Sequence, residues 1–179
     1  MLIDLKEFNK PSKEKNKQVI AHFNKIKKQK PNRIDELFNN AHDEVFAETD
    51  CLTCANCCKT TSPVFKSKDI ENIAKYLKIK PSQLVEKYLY MDDEADYVLH
   101  KSPCSFLNED NSCNIYDVRP TACQGYPHTD KRKVHALMEL TQNNALVCPA
   151  VSEMVKRIDA ILLPHPQSGG NVKINRKAR

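Results

Sequence analysis

Val19, Ile20, Phe23 and Ile26 recur at helical spacing among lysines, which predicts a helix over 12–30 with Ser12 as its N-cap. Pro31-Asn32 breaks it. Beyond the break, Ile34, Leu37, Phe38, Ala41, Val45 and Phe46 make one apolar stripe, and a second helix is expected there. That helix delivers the chain to Asp50. Thr60-Thr61-Ser62-Pro63 reads as a loop and Val64-Phe65 as a short extended piece. Ser67 is expected to cap a helix that turns Ile70, Ile73, Ala74 and Leu77 inward. Another helix, begun at Pro81 or Ser82, carries Leu84, Val85, Tyr88 and Leu89 and ends at Asp92-Asp93-Glu94.

Val98-Leu99 is expected to be extended. Phe106-Leu107 and Cys113-Asn114-Ile115-Tyr116, separated by the polar run Asn108 to Ser112, predict a small hairpin. Arg119-Pro120 opens a tight turn around Cys123, and residues 133–146 are predicted helical. Pro149 starts a last helix in which Val151, Met154, Val155, Ile158, Ile161 and Leu162 face inward, stopped by Pro164 and Pro166. The polar, basic stretch that follows is read as a disordered tail. The fold class expected is mainly α with a small β-hairpin, arranged around an irregular, metal-stabilised cysteine cluster.

Charge changes this picture in one respect. Residues 1–33 carry ten Lys/Arg against three Asp/Glu, and 173–179 carry four Lys/Arg and no acid. Taking these +7 and +4 contributions from the net +5 leaves −6 for 34–172, so the basic excess lies at the ends and the body is acidic. Aromatic residues do not interleave the terminal lysines, so base stacking on nucleic acid is not indicated, and the lysines read as a solvated helix face. No apolar run approaches the roughly 18–20 residues of a membrane span, and the first residues lack the apolar core of a secretory signal. A cytoplasmic protein without membrane contact is expected. No glycine-rich phosphate loop is present.

Cysteine carries the chemistry. All eight fall between positions 51 and 148: Cys51, Cys54, Cys57, Cys58, Cys104, Cys113, Cys123 and Cys148. In a reducing compartment such a set points to metal or redox chemistry rather than disulfides. Cys51-x2-Cys54-x2-Cys57 has the spacing that lets two thiolates bend round one ion in zinc ribbons and iron–sulfur proteins. Adjacent side chains project differently, so Cys57 and Cys58 are expected to serve different metals, or one to ligate while the other lies beside the site. Eight thiolates suit two four-sulfur sites, or one cluster with a second centre; spacing leaves the partition open. Arg119 and Lys59 are candidates to balance the thiolate charge. His128, after Tyr126-Pro127, is a weaker candidate ligand or acid–base group, with His100 and His135 behind it. The acids Asp92, Asp93, Glu94 and Asp96 read most simply as a solvated turn.

An ordered series of motifs resembles the CxxCxxCC family, the YkgJ-like cysteine-cluster proteins described as zinc- or iron-chelating domains. The series runs Cys51-Leu52-Thr53-Cys54-Ala55-Asn56-Cys57-Cys58, then Asp69-Ile70 and Cys104-Ser105-Phe106-Leu107. It continues through Cys113-Asn114-Ile115-Tyr116-Asp117-Val118-Arg119-Pro120-Thr121-Ala122-Cys123 to Tyr126-Pro127. The resemblance spans roughly 45–150, with Ser105 where the family usually has Pro. It implies a domain chelating zinc or iron, the latter as a 4Fe–4S cluster among the options, with the eight cysteines carried over as ligands. The implied organisation is an N-terminal helical region (1–49), a metal-chelating domain (50–164) and the basic tail (165–179). Metal ions are the expected partners, with a protein partner as a further option. The family is similar to cysteine-rich flagellin lysine methylases, and some members are called Fe–S oxidoreductases. An iron–sulfur oxidoreductase or a protein-modifying enzyme is therefore the alternative reading.

Overall fold

The computed structural model describes residues 4–163. The expectations for Pro164, Pro166 and the basic tail lie outside the described residues. After a short turn α1 (Leu5–Phe8), helix α2 runs Lys13–Ile26. The Ser12 hydroxyl caps α2 by accepting from Lys15 N at 3.2 Å. The helix stops short of residue 30 because Lys30 precedes Pro31 and is driven to an extended conformation, φ −64° and ψ 146°. Pro31 itself then occupies the first turn of α3 (Pro31–Ala47), where its missing N–H costs nothing. The cysteine segment follows as two single turns, α4 (Cys51–Cys54) and α5 (Asn56–Thr60).

Helix α6 (Ser67–Tyr76) is capped from Lys66 rather than Ser67: the Asp69 carboxylate reaches back and accepts from Lys66 N at 3.0 Å. Helix α7 begins at Pro81 and ends at Tyr88. Leu89 does not extend it. Strand β1 (Leu89–Met91) pairs antiparallel with β2 (Tyr97–Leu99), in the register Leu89 with Leu99 and Met91 with Tyr97. Asp92 forms the turn, its Oδ1 accepting from Glu94 N and Asp96 N. The acidic run is therefore a hairpin turn, and the fold's β-hairpin lies at 89–99.

The hairpin expected at 106–116 reduces to one bridge, Leu107 with Cys113, closed by Asn108 N donating to Ser112 O. Pairing goes no further because the chain after Cys113 winds into a 3-10 turn at Tyr116–Val118. Helix α8 (Thr121–Gln124) carries Cys123. A 3-10 turn at Val134–Leu137 leads into α9 (Met138–Val147), and α10 (Pro149–Leu162) closes the described chain.

Two hydrophobic cores result. The first packs α2, α3, α9 and α10 together through Phe23, Ile26, Phe38, Val45, Met154 and Ile158, all fully enclosed. Ile161, expected to face inward, is exposed instead, as is Ile20, which shares the helical spacing of Val19 and Phe23. The second gathers Phe65, Ile73, Leu84, Leu89, Leu99, Phe106 and Ile115 from shorter elements. Cys148 packs against the first core, and Cys104 and Cys113 against the second. No helix among the described residues is long and apolar enough to cross a membrane.

Candidate metal centre

The four clustered cysteines are presented by two turns that meet at one unusual residue. Asp50 starts α4 by accepting from Leu52 N at 2.9 Å and from the Thr53 hydroxyl at 2.8 Å, and these bonds, Thr53 first, hold its carboxyl below the ordinary range. Ala55 then adopts the left-handed conformation, φ 46° and ψ 22°, ending α4 and starting α5. That conformation costs a non-glycine residue roughly 1–2 kcal/mol, and it redirects the second turn so that CxxC is not continued as one helix. Asn56, only 2% exposed, fixes the junction: it exchanges amide hydrogen bonds with Asn9 and donates to Val147 O at 2.7 Å, next to Cys148.

A second set of contacts ties these turns to the later cysteines. Cys104 N donates to Cys58 O at 2.8 Å, the Ser102 hydroxyl to Lys59 O at 3.0 Å, and Asn111 Nδ2 to Leu52 O at 2.7 Å. Buried Asp69 accepts from both the backbone N and the hydroxyl of Thr121, which anchors α8 and its Cys123. Arg119 lies over the Tyr116 ring, 3.9 Å from its centroid, and donates to Tyr116 O.

All eight thiols are free, Cys51 exposed and the others half-buried. The sulfurs of Cys57 and Cys58 are 4.0 Å apart. Cys58 acts electrostatically on Cys104, Cys113 and Cys123, and Cys123 also feels Cys104 and Cys113. Cys148 instead feels Cys54 and Cys51, and the Tyr126 phenol feels Cys148, Cys57 and Cys54. Electrostatically, Cys51, Cys54 and Cys148 are thus linked to one another, and Cys58, Cys104, Cys113 and Cys123 to one another. Cys57 contacts Cys58 and acts on Tyr126, and Cys58 has a weaker effect on Cys51.

Burial pushes Cys123 up to about 12 and Cys148 up to about 11, with neighbouring sulfurs adding to both. Cys58 is raised by its contact with Cys57 first and by burial second. Arg119 works in the opposite direction on Cys113 and Cys123, and Lys59 does so on Cys58. Both cations named from the sequence therefore stand beside the thiols. Among the described residues, no three His, Cys, Asp or Glu side chains are closed on one point in metal-coordinating geometry. The sulfurs are gathered without being clamped.

The three histidines named from the sequence make other contacts. His128 packs on Gly125 and is lowered by burial and Lys131, His100 stacks on Tyr90, and His135 bonds the Asp35 carboxylate at 2.9 Å. Asn56 and Asp69 hold the site in place although nothing in their residue type marks them as ligands; each sits inside one of the family's motifs. A polar side chain locked between cysteines, or just inside a helix start, is the signal that could have found them.

A family model described as "Putative zinc- or iron-chelating domain", CxxCxxCC, matches residues 50–149, more than half of the chain. The chain belongs to the CxxCxxCC family. The matched stretch opens at Asp50, the cap of the first cysteine turn, and closes at Pro149, directly after Cys148. The "Uncharacterized protein MJ0661" of Methanocaldococcus jannaschii is 32% identical over 82 residues, 44% of each chain. The match thus spans less than half of that relative. No solved structure gives a significant match.

The donor set fits the metals in the family's description. Thiolates are soft ligands suited to zinc and to iron–sulfur clusters. The thiols of Cys104, Cys113, Cys123 and Cys148, whose ionisation is opposed by burial and by neighbouring sulfurs, are of the kind that a cation placed among them stabilises as thiolates.

Proposed function

We propose that the chain is a metal-binding protein whose eight cysteines hold zinc or iron in two four-thiol sites. Cys51, Cys54, Cys57 and Cys148 form one; Cys58, Cys104, Cys113 and Cys123 form the other. The observation that carries this reading lies at the vicinal pair: Cys58 is bonded through its backbone to Cys104, while Cys57 acts on the Tyr126 phenol together with Cys148 and Cys54. Bound metal supplies charge neutralisation and a cross-link among four chain segments. The chain's own residues do the rest. Asp50 and Ala55 set the two turns, Asn56 holds the first group to Val147, and Asp69 holds α8 in place. Arg119 and Lys59 offset the negative charge that a four-thiolate site carries.

A second reading, an iron–sulfur oxidoreductase or protein-modifying enzyme, draws on Cys51, the one exposed thiol of the eight. A low-exposure structural site has no need of an accessible ligand, whereas electron or group transfer does. Anaerobic purification followed by visible absorption and metal analysis separates the two. Colourless protein with about two zinc per chain supports closed structural sites. Brown protein with iron and acid-labile sulfide supports the cluster and brings the redox reading forward. Reduced, metal-free protein that folds equally well with a chelator overturns both.

A further inference from the structure

Tyr126 is held at the first thiol group by its surroundings on both sides. Its backbone N–H reaches Cys123 O, His128 N donates to Gly125 O at 2.7 Å, and Asn144 Nδ2 donates to Pro127 O at 3.1 Å. Gly125 packs closely in this turn: a Cβ there would meet the His128 ring at 2.8 Å. The His128 ring in turn stands edge-on to Tyr126, with centroids 6.5 Å apart.

The result is a phenol whose hydroxyl is sealed from solvent and makes no hydrogen bond among the described residues. The turn brings it to the end of α9, where Asn144 bonds Pro127 O through its side chain and accepts from Cys148 N through its carbonyl, and the sulfurs of Cys148, Cys57 and Cys54 act on the phenol. Buried tyrosine hydroxyls normally find a partner. A neutral thiol sulfur is a weak acceptor, and a metal-bound thiolate is a strong one.

We propose that Tyr126 is the positioning residue of the first thiol group, its hydroxyl donating a hydrogen bond to the Cys148 sulfur when that sulfur binds a metal ion. The inference rests on the metal-binding reading above. The donor withdraws electron density from the sulfur, fixes its direction and slows its release. Tyr126 also follows Cys123 by three residues, so one turn joins a ligand of the second group to a donor for the first.

Cobalt(II), whose sulfur-to-metal charge-transfer bands report on thiolate donation, is the probe for the full-length chain. Tyr126→Phe removes only the hydroxyl, and Tyr90→Phe, on the exposed face of β1, serves as control. The expected result for Tyr126→Phe is unchanged cobalt stoichiometry, a charge-transfer band moved to lower energy, and affinity weakened on the order of tenfold. Cys148 should also alkylate faster, with Tyr90→Phe matching wild type throughout. An unchanged band, affinity and Cys148 reactivity overturn the inference. So does loss of one cobalt equivalent, which makes the phenol a ligand, and so does failure of the variant to fold with cobalt present. Wild-type protein that takes up no cobalt strikes instead at the metal-binding reading on which the inference stands.

Discussion

The two cores are built by different means. The first is made of helices long enough to bury a continuous stripe: α2 and α10 with 14 residues each and α3 with 17. Its interior is closed by Phe23, Phe38, Met154 and Ile158. The second rests on an eight- and a ten-residue helix, two three-residue strands and a loop with a single bridge. Cys104 and Cys113 ride on its margin, and most of the thiols sit on turns of four or five residues or on loops. Turns that short do not hold themselves. The comparison teaches that the helical half is closed by hydrophobic packing, while the cysteine half has less of it and is where the proposed thiolate–metal cross-links would act.

The largest expected effect follows directly. Removing metal should release amides of 51–60 and 104–123 to hydrogen exchange while those of α2, α3 and α10 stay protected, because binding energy at structural thiolate sites is folding energy, about 10–16 kcal/mol for zinc-finger peptides. Equal loss of protection in both halves would erase the distinction between them.

Next in size, Phe38→Ala in the helical core should cost about 3–5 kcal/mol in urea unfolding and leave the bound metal per folded chain unchanged. A fall in metal content would show that the thiol sites depend on that core.

A smaller effect belongs to Asp159 on α10. Burial pushes its carboxyl up, but the bonds from Lys25 and His22 outweigh this and hold it below the ordinary value. A depressed carboxylate contributes stability above its unfolded pKa and loses it as pH falls through the folded one. Asp159→Asn should therefore cost roughly 1–3 kcal/mol at neutral pH, and the gap from wild type should close in acid. A gap independent of pH would contradict the assignment.

The smallest is Ala55→Gly, which relieves the left-handed strain between the cysteine turns and should shift stability by no more than about 1 kcal/mol. A large loss would mean that the buried Ala55 methyl, and not the backbone angle, shapes the junction.

The long helices were legible because apolar side chains at 3.6-residue spacing announce a buried face, and Ser12 and Pro31 marked their boundaries. The second core was less so. Leu89 continues the apolar spacing of α7, yet it pairs with Leu99, since β-pairing depends on a partner ten residues away that local periodicity does not reveal. The polar run at 108–112 looked like a hairpin turn and is one, but the flanking residues bend into a 3-10 turn instead of pairing. At the site, the cysteines were plain in the chain. Their grouping was not, because it turns on the left-handed angle at Ala55 and on the Cys104–Cys58 backbone bond. Tyr126 stood in the motif without its role, which needs the position of Cys148.

Native thiol alkylation with peptide mapping, run on the reduced protein with and without a chelator, tests the convergence of these sulfurs most directly. All eight cysteines should be protected in the native protein, with Cys51 the least so. The chelator should release them as two sets of four, Cys148 with Cys51, Cys54 and Cys57, and Cys123 with Cys58, Cys104 and Cys113. Eight cysteines that react at the same rates whether or not the chelator is present would contradict the account.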